Sequence, residues 1–134
     1  HGATVLVIDD DEDTREVLLE ILGGAGHDVV LASDGGEAIA WLTEGFRPAV
    51  IMLDVMMPVV NGFAFRAWQR ARPELAGIAI LLATAAPLSK EALVELAPDI
   101  CLDKPFDLRT LLDSVQTLVD RTRALQSSAP SGAR

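Results

Sequence analysis

Residues 5–13 read VLVIDDDED, in which four aliphatic side chains are followed directly by five acidic ones. A short continuous run of Val, Leu and Ile is typical of a strand that is buried on both faces. Strands of this kind belong to parallel sheets that helices cover on both sides. The acids begin where the apolar run stops, so the stretch predicts a central strand that leads into a charged loop.

Four further apolar runs follow at fairly regular spacing, over residues 29–32, 49–53, 78–83 and 100–102. Amphipathic segments separate the runs, and the last of these segments has apolar residues at a helical period from Leu108 to Val119. The order is therefore a strand followed by a helix, repeated five times. Such alternation predicts a doubly wound α/β fold with right-handed crossovers and a five-stranded parallel sheet.

Polar residues indicate where the helices begin and end. The predicted N-caps are Asp13, Asp34, Ser89 and Asp107. A third helix is predicted from Gly62 to Arg72, ended by Pro73. The pair Asn61-Gly62 is interpreted as a tight turn that enters this helix, since both residues tolerate a positive φ.

The amino-acid composition disfavours several classes of function. The chain has 134 residues, half of them hydrophobic, which fits one domain with its own core. Its 11 basic and 20 acidic residues leave a net charge of −9, which disfavours binding to nucleic-acid phosphates or anionic membranes. A single cysteine allows no internal disulfide, which fits a reducing compartment. No apolar stretch is long enough to span a membrane, and no signal peptide for secretion is recognisable. We expect a cytoplasmic domain over residues 3–124, a processed or tag-derived end at 1–2, and a disordered tail or linker stub at 125–134.

Each strand but the second ends in a residue that can carry chemistry. Asp9 and Asp10 follow the first strand, Asp54 ends the third, Thr84 the fourth, and Lys104 follows the fifth. In a doubly wound sheet these carboxyl ends meet at one edge, where ligands bind. Carboxylates without His or Cys suit a hard ion, Mg²⁺ or alternatively Mn²⁺. A carboxylate beside such an ion, an ammonium and a hydroxyl can attack a phosphoryl group.

Five segments, in this order and spacing, resemble the receiver domain of two-component response regulators over about residues 3–122. They are residues 5–13, 53–58, 61–62, 84–85 and 104–106. The resemblance implies a flavodoxin-like (βα)5 fold with helices on both faces of the sheet. It also implies a phosphorylation-activated signalling switch. Such a switch is no enzyme toward a separate substrate, since it performs only Mg²⁺-dependent self-phosphorylation and autodephosphorylation.

The same resemblance implies roles for the acidic residues. Asp54 would accept a phosphoryl group from a sensor histidine kinase or a histidine phosphotransfer protein. Asp9 and Asp10 would hold Mg²⁺ together with Asp54 and the backbone carbonyl of Met56. A downstream protein, whose identity the sequence does not indicate, would then recognise the changed surface.

The remaining matching positions would respond to the phosphoryl group. Thr84, the backbone of Ala85 and the ammonium of Lys104 would contact it, and the peptide bond before Pro105 would be cis, as in the family. The surface made by the fourth predicted helix, the fifth strand and the last helix would then shift. Cys101 departs from the family pattern, which usually has Tyr or Phe three residues before the lysine. We interpret Cys101 as a small buried strand residue.

Three other functions compete with the switch. The chain could be a receiver-like module that binds proteins without ever taking a phosphate. It could be a metal-dependent phosphatase, because Asp9 and Asp11 have the spacing of an aspartyl nucleophile and its partner, although the Gly-Thr/Val pattern that usually follows is absent. A flavodoxin-like cofactor protein would need a Ser/Thr/Gly-rich phosphate loop after the first strand, where this chain has five acids.

Overall fold

A computed structural model describes residues 2–55 and 61–128 of the chain. The strands are β1 (Thr4–Ile8), β2 (Asp28–Ala32), β3 (Val50–Asp54), β4 (Ala79–Thr84) and β5 (Ile100–Asp103). The helices are α1 (Glu12–Gly24), α2 (Gly35–Thr43), α3 (Gly62–Arg70), α4 (Pro73–Ala76), α5 (Lys90–Leu96) and α6 (Leu108–Ser128). Pro73 begins the one-turn helix α4, because its fixed φ and missing N–H suit a first helical position.

The five strands form one parallel sheet in the order β2-β1-β3-β4-β5. This order is that of the flavodoxin-like fold, so the predicted doubly wound architecture is confirmed. β2 lies on one side of β1, and β3, β4 and β5 follow on its other side, so the order in which strands are added reverses between β1 and β3. The crevice at the carboxyl ends of these two strands is therefore the expected ligand site.

Two hydrophobic cores lie on opposite faces of the sheet. Val5 and Val7 of β1 pack on the face covered by α1 and α6, while Leu6 and Ile8 pack on the face covered by α2, α3 and α5. All four side chains are fully buried. The continuous apolar run of β1 is explained by this burial on both faces, and it places the strand at the centre of the domain.

The helix starts agree with the sequence at three places and differ at one. The caps at Asp34, Ser89 and Asp107 are confirmed, since each side chain accepts a backbone N–H three residues on. The N-cap of α1, however, is Asp11 and not Asp13. Asp11 accepts the N–H and the hydroxyl of Thr14, which lower the pKa of its carboxyl, the hydroxyl more strongly. Asp13 lies inside the first turn, where its charge still favours the helix dipole.

The interpretation of Asn61-Gly62 as a positive-φ turn is wrong. Asn61 has a φ of −74° and is the N-cap of α3, where its side chain accepts the N–H of Ala64 at 2.9 Å. Gly62 is the first residue of α3 and is buried. A Cβ at Gly62 would lie 2.9 Å from the Cα of Val55, so glycine is required there by close backbone approach and not by conformation.

Ala97 ends α5 in the left-handed conformation, at φ 46° and ψ 56°. A Cβ raises the energy of this conformation by about 1–2 kcal/mol. We expect Ala97→Gly to raise the free energy of unfolding by about 0.5–1 kcal/mol, after allowance for the greater freedom of glycine in the unfolded chain. Urea denaturation measures the difference. Ala92→Gly inside α5 should lower the same free energy by about 1 kcal/mol. A lower stability of Ala97→Gly would contradict the prediction.

The last helix is longer than the sequence indicated. It continues to Ser128, so residues 125–128 are helical and do not belong to the predicted tail. Ala124 and Leu125 are good helix formers, but they extend no apolar face that periodicity would detect. Residues 1 and 129–134 lie outside the described chain, and the domain limits 3–124 stay a prediction. Among the helices described, none is both long and apolar enough to cross a membrane.

Candidate functional site

Three carboxylates meet in the crevice at the carboxyl ends of β1 and β3. Asp9 follows β1, Asp54 ends β3, and the two strands are neighbours in the register Ile8 to Leu53. One oxygen from each of Asp9, Asp10 and Asp54 lies within 4.8 Å of the others. Asp9 and Asp54 are buried, while Asp10 is exposed. The structure therefore brings together the three acids that the sequence placed at this edge.

Lys104 supplies a positive charge to the same cluster. Its Nζ lies 3.1 Å from Oδ2 of Asp9 and 3.7 Å from Oδ2 of Asp54. Its backbone N–H donates to the carbonyl of Thr84 at 2.7 Å, and its peptide bond to Pro105 is cis, as the family resemblance implied. Two buried carboxylates need such a partner, because a buried charge without one is strongly disfavoured.

Thr84 lies at the same edge, where it ends β4. It is buried, and its hydroxyl donates to the carbonyl of Ala86 at 2.7 Å. The same oxygen accepts the N–H of Ala86 at 3.3 Å. Ala85 is exposed and follows Thr84 directly. The hydroxyl is thus held by the loop that leads into α5, and it can reach another acceptor only by giving up the Ala86 carbonyl.

Two contacts orient Asp9 that sequence reasoning missed. The backbone N–H of Asp11 donates to Oδ1 of Asp9 at 2.9 Å. Nη1 of Arg15 donates to the backbone carbonyl of Asp9 at 2.8 Å. Arg15 is six residues from Asp9 along the chain, and no spacing rule links the two. Only the path of the chain from β1 into α1 brings the guanidinium back over the acidic loop.

The donor set fits a hard divalent cation. Asp9, Asp10 and Asp54 offer carboxylate oxygens, the ligands that Mg²⁺ prefers, and the cluster contains no His or Cys. The single ammonium of Lys104 leaves two negative charges in surplus, which equals the charge of one such ion. The proposed backbone ligand, Met56, lies outside the described residues.

Replacing Asp10 by Asn should weaken Mg²⁺ binding at least about tenfold, because the ion loses one charged ligand. Without metal, the same change should raise the melting temperature by a few degrees. Like charges about 4 Å apart repel by roughly 1 kcal/mol in water and 4 kcal/mol at an effective dielectric of 20. Calorimetric titration with Mg²⁺ and thermal unfolding in EDTA measure the two effects.

Asp13→Asn is the matched control for this prediction, because it removes the same charge from an exposed residue outside the cluster. Its Mg²⁺ affinity should equal that of the unaltered protein. Its stability should fall slightly, since the first turn of α1 loses an acid. Equal Mg²⁺ affinities of the Asp10 and Asp13 variants would contradict a metal site at Asp10.

The interpretation of Cys101 as a buried residue is wrong. The side chain is exposed, while its neighbour Leu102 is buried. β5 is the edge strand of the sheet, and alternate residues of a strand point to opposite faces, so only one of the two joins the core. Partial desolvation, and to a lesser extent the charge of Asp103, raises the pKa of the Cys101 thiol.

Comparison with known sequences agrees with this geometry. The family model for the response regulator receiver domain matches residues 5–116. The transcriptional regulatory protein GltR of Pseudomonas aeruginosa is 34% identical over 128 residues, which cover 94% of this chain and 52% of that protein. The response regulator MprA of Mycolicibacterium vanbaalenii is 34% identical over 129 residues, which cover 96% of this chain and 55% of that protein. The chain spans about half the length of these relatives.

Solved structures show the same architecture. The chemotaxis protein CheY4 of Vibrio cholerae has a TM-score of 0.80 and 33% identity, covering 88% of this chain and 99% of that one. The receiver domain of the sensor histidine kinase PA1611 of P. aeruginosa has a TM-score of 0.80 and 25% identity, covering 90% of this chain and 99% of that one. That structure has a magnesium ion in its active-site cleft. This chain belongs to the receiver domain family of two-component response regulators.

Proposed function

We propose that this domain is a phosphorylation-activated signalling switch, in which Asp54 accepts a phosphoryl group from a sensor histidine kinase or a histidine phosphotransfer protein. The observation that carries the proposal is the position of Asp54. Its carboxylate lies in the crevice at the carboxyl ends of β1 and β3, beside the carboxylates of Asp9 and Asp10 and 3.7 Å from the ammonium of Lys104. The reaction requires Mg²⁺, for which Mn²⁺ is an alternative, held by Asp9, Asp10, Asp54 and the backbone carbonyl of Met56.

The chemistry is a phosphoryl transfer. A carboxylate oxygen of Asp54 attacks the phosphorus of a phosphohistidine, the new P–O bond forms, and the P–N bond breaks with its electron pair on the imidazole. The bound divalent ion supplies neutralising charge for the phosphoryl oxygens. The Lys104 ammonium, already 3.7 Å from Asp54, pairs with a phosphoryl oxygen. Water later hydrolyses the acyl phosphate, and no separate substrate is turned over.

The response starts at Thr84. Its hydroxyl leaves the Ala86 carbonyl and, with the backbone of Ala85, donates to the new phosphoryl oxygens. Because this hydroxyl holds the loop before α5, its departure biases a two-state equilibrium of the surface formed by α5, β5 and α6. A downstream protein reads that surface. The domain itself binds no nucleic acid, since its net charge of −9 repels phosphates.

A second candidate function is a receiver-like module that binds its partner without phosphate. The exposed thiol of Cys101 favours it, because this position usually carries the aromatic ring that moves with the threonine in the family. In that case Asp54 would stay unmodified, and partner binding would not depend on Mg²⁺ or a phosphoryl donor.

Intact-mass spectrometry distinguishes the two candidates. After incubation with acetyl phosphate and Mg²⁺, the protein should gain one phosphoryl group, and EDTA should prevent the gain. Asp54→Ala should show no gain, whereas Asp113→Ala, which removes an exposed acid of α6, should behave as the unaltered protein. Folded protein that binds Mg²⁺ yet takes no phosphoryl group would reject the switch and favour the phosphate-independent module.

A further inference from the structure

Helix α5 is attached to the domain mainly at its C-terminal end. Of its seven residues only Leu96 is buried, and Leu93 and Val94 expose 36% and 76% of their surface. The helix also carries no basic residue in its last turn. The carbonyls at that end, where the helix dipole is negative, must therefore find their positive partners elsewhere in the fold.

Arg66 of α3 provides the main partner. Only 6% of this residue is exposed. Its Nε donates to the carbonyl of Leu96 at 2.6 Å, and its Nη2 donates to the carbonyl of Ala97 at 2.9 Å. Its Nη1 donates to Oε1 of Gln69 at 2.9 Å, and this amide in turn donates to the carbonyl of Leu75. The guanidinium is thus fixed from both sides and holds the end of α5 with two charge-assisted hydrogen bonds, one buried and one partly buried.

A second arginine of α3 strengthens the same contact. Nη1 of Arg70 donates to the carbonyl of Glu95 at 3.0 Å, in an exposed position. The carbonyls of Glu95 and Leu96, the last two residues of α5, and of the C-cap Ala97 are therefore held from α3. These contacts join residues that lie 25 to 31 positions apart in the chain, and they involve neither a strand nor the acidic cluster.

The other end of α5 is held by contacts of a different kind. The loop from Ala85 to Ser89 enters the helix, and its residues are largely exposed. The Thr84 hydroxyl bonds to Ala86 within this loop, and the Ser89 side chain caps the N–H of Ala92. Of these two hydrogen bonds only the first reaches back to the sheet, and Leu88 of the same loop packs against the core that Leu96 joins. The polar contacts at one end of the helix therefore include a residue of the proposed site, and those at the other end come from a buried arginine.

We propose that Arg66 is a positioning residue that makes the C-terminal end of α5 a pivot. The inference rests on the proposed function, in which the Thr84 hydroxyl turns to a phosphoryl group on Asp54. The N-terminal end of α5 then moves, whereas the end held by Arg66 stays against α3. The exposed side chains Leu93 and Val94 lie between the two ends, so the rotation changes the surface that they present.

Hydrogen exchange of single backbone amides tests the pivot. The probe is beryllofluoride with Mg²⁺, a phosphoryl analogue, and fluorine NMR reports whether it occupies the site. Loading the unaltered protein should change the exchange rates at Ala86 and at Leu88 to Ala92 at least about fivefold, but those at Leu96 and Ala97 by less than about twofold. In Arg66→Met the change should extend to Leu96 and Ala97, while the rate of phosphoryl uptake at Asp54 stays the same.

Two further variants make the result specific. Arg70→Met, which loses only the exposed bond to Glu95, should keep the unaltered pattern. Arg66→Lys, which retains a cation with a single nitrogen, should show a partial change and tests the pivot even if the Met variant folds poorly. Equal changes at both ends of α5 in the loaded unaltered protein, or an unaltered pattern in both Arg66 variants, would overturn the pivot. Failure of beryllofluoride to bind any of the proteins would count against the switch itself and would remove the pivot with it.

Discussion

Replacing Lys104 by Met is expected to slow phosphoryl uptake at Asp54 about a hundredfold, the usual effect of losing one preorganised donor at a developing charge. The Lys104 ammonium lies within 4 Å of both Asp9 and Asp54 before any phosphoryl group arrives. It is therefore positioned in advance, and the reaction spends no energy on moving it. Methionine preserves the apolar stem of the side chain and removes the charge together with the hydrogen bond to Asp9.

The measurement is the initial rate of phosphoryl uptake from acetyl phosphate, followed by intact mass at saturating Mg²⁺. Lys90→Met is the control, since Lys90 is an exposed cation at the start of α5. Its rate should match that of the unaltered protein. In EDTA the Lys104 variant should also unfold at a lower temperature, because two buried carboxylates lose their cation. A rate within twofold of the unaltered protein would show that Lys104 does not act on the phosphoryl group.

Gly62→Ala is expected to lower the free energy of unfolding by about 2–3 kcal/mol. The added Cβ would lie 2.9 Å from the Cα of Val55 and 3.2 Å from its carbonyl oxygen. Both are backbone atoms, so no flexible side chain can yield, and either α3 or the end of β3 must move. Val55 directly follows Asp54, and its N–H donates to the carbonyl of Ala83. The strain therefore falls next to Asp54, the proposed phosphoacceptor, and phosphoryl uptake should slow as well.

Urea denaturation and the uptake rate measure these two effects. Gly24→Ala is the control, because a Cβ at the end of α1 meets no atom within 4 Å. That variant should be more stable by about 0.5–1 kcal/mol, as alanine has the higher helix propensity. A Gly62 variant as stable as the Gly24 variant would mean that the contact between α3 and Val55 relaxes freely.

Some errors in the sequence-based account have a common physical origin. Asp11 and Asp13 are both residue types that suit an N-cap, and Asp11 is the cap because the helical backbone begins at Glu12. The pair Asn61-Gly62 has the composition of a tight turn, yet Gly62 is required by its approach to Val55. Local composition predicts which residues are suited to a turn or a cap. It does not predict which of those residues contacts a neighbouring helix or strand.

The amino-acid sequence by itself determined the doubly wound sheet and the edge at which the site lies. Strands buried on both faces are visible as continuous apolar runs, and parallel connections place all their carboxyl ends together, so Asp9, Asp54 and Lys104 had to converge. Only the tertiary structure decided the exposure of Cys101 and the burial of Arg66. Both depend on which elements pack against each other at long range in the chain, and an arginine in an amphipathic helix has the same local pattern whether it meets water or the end of another helix.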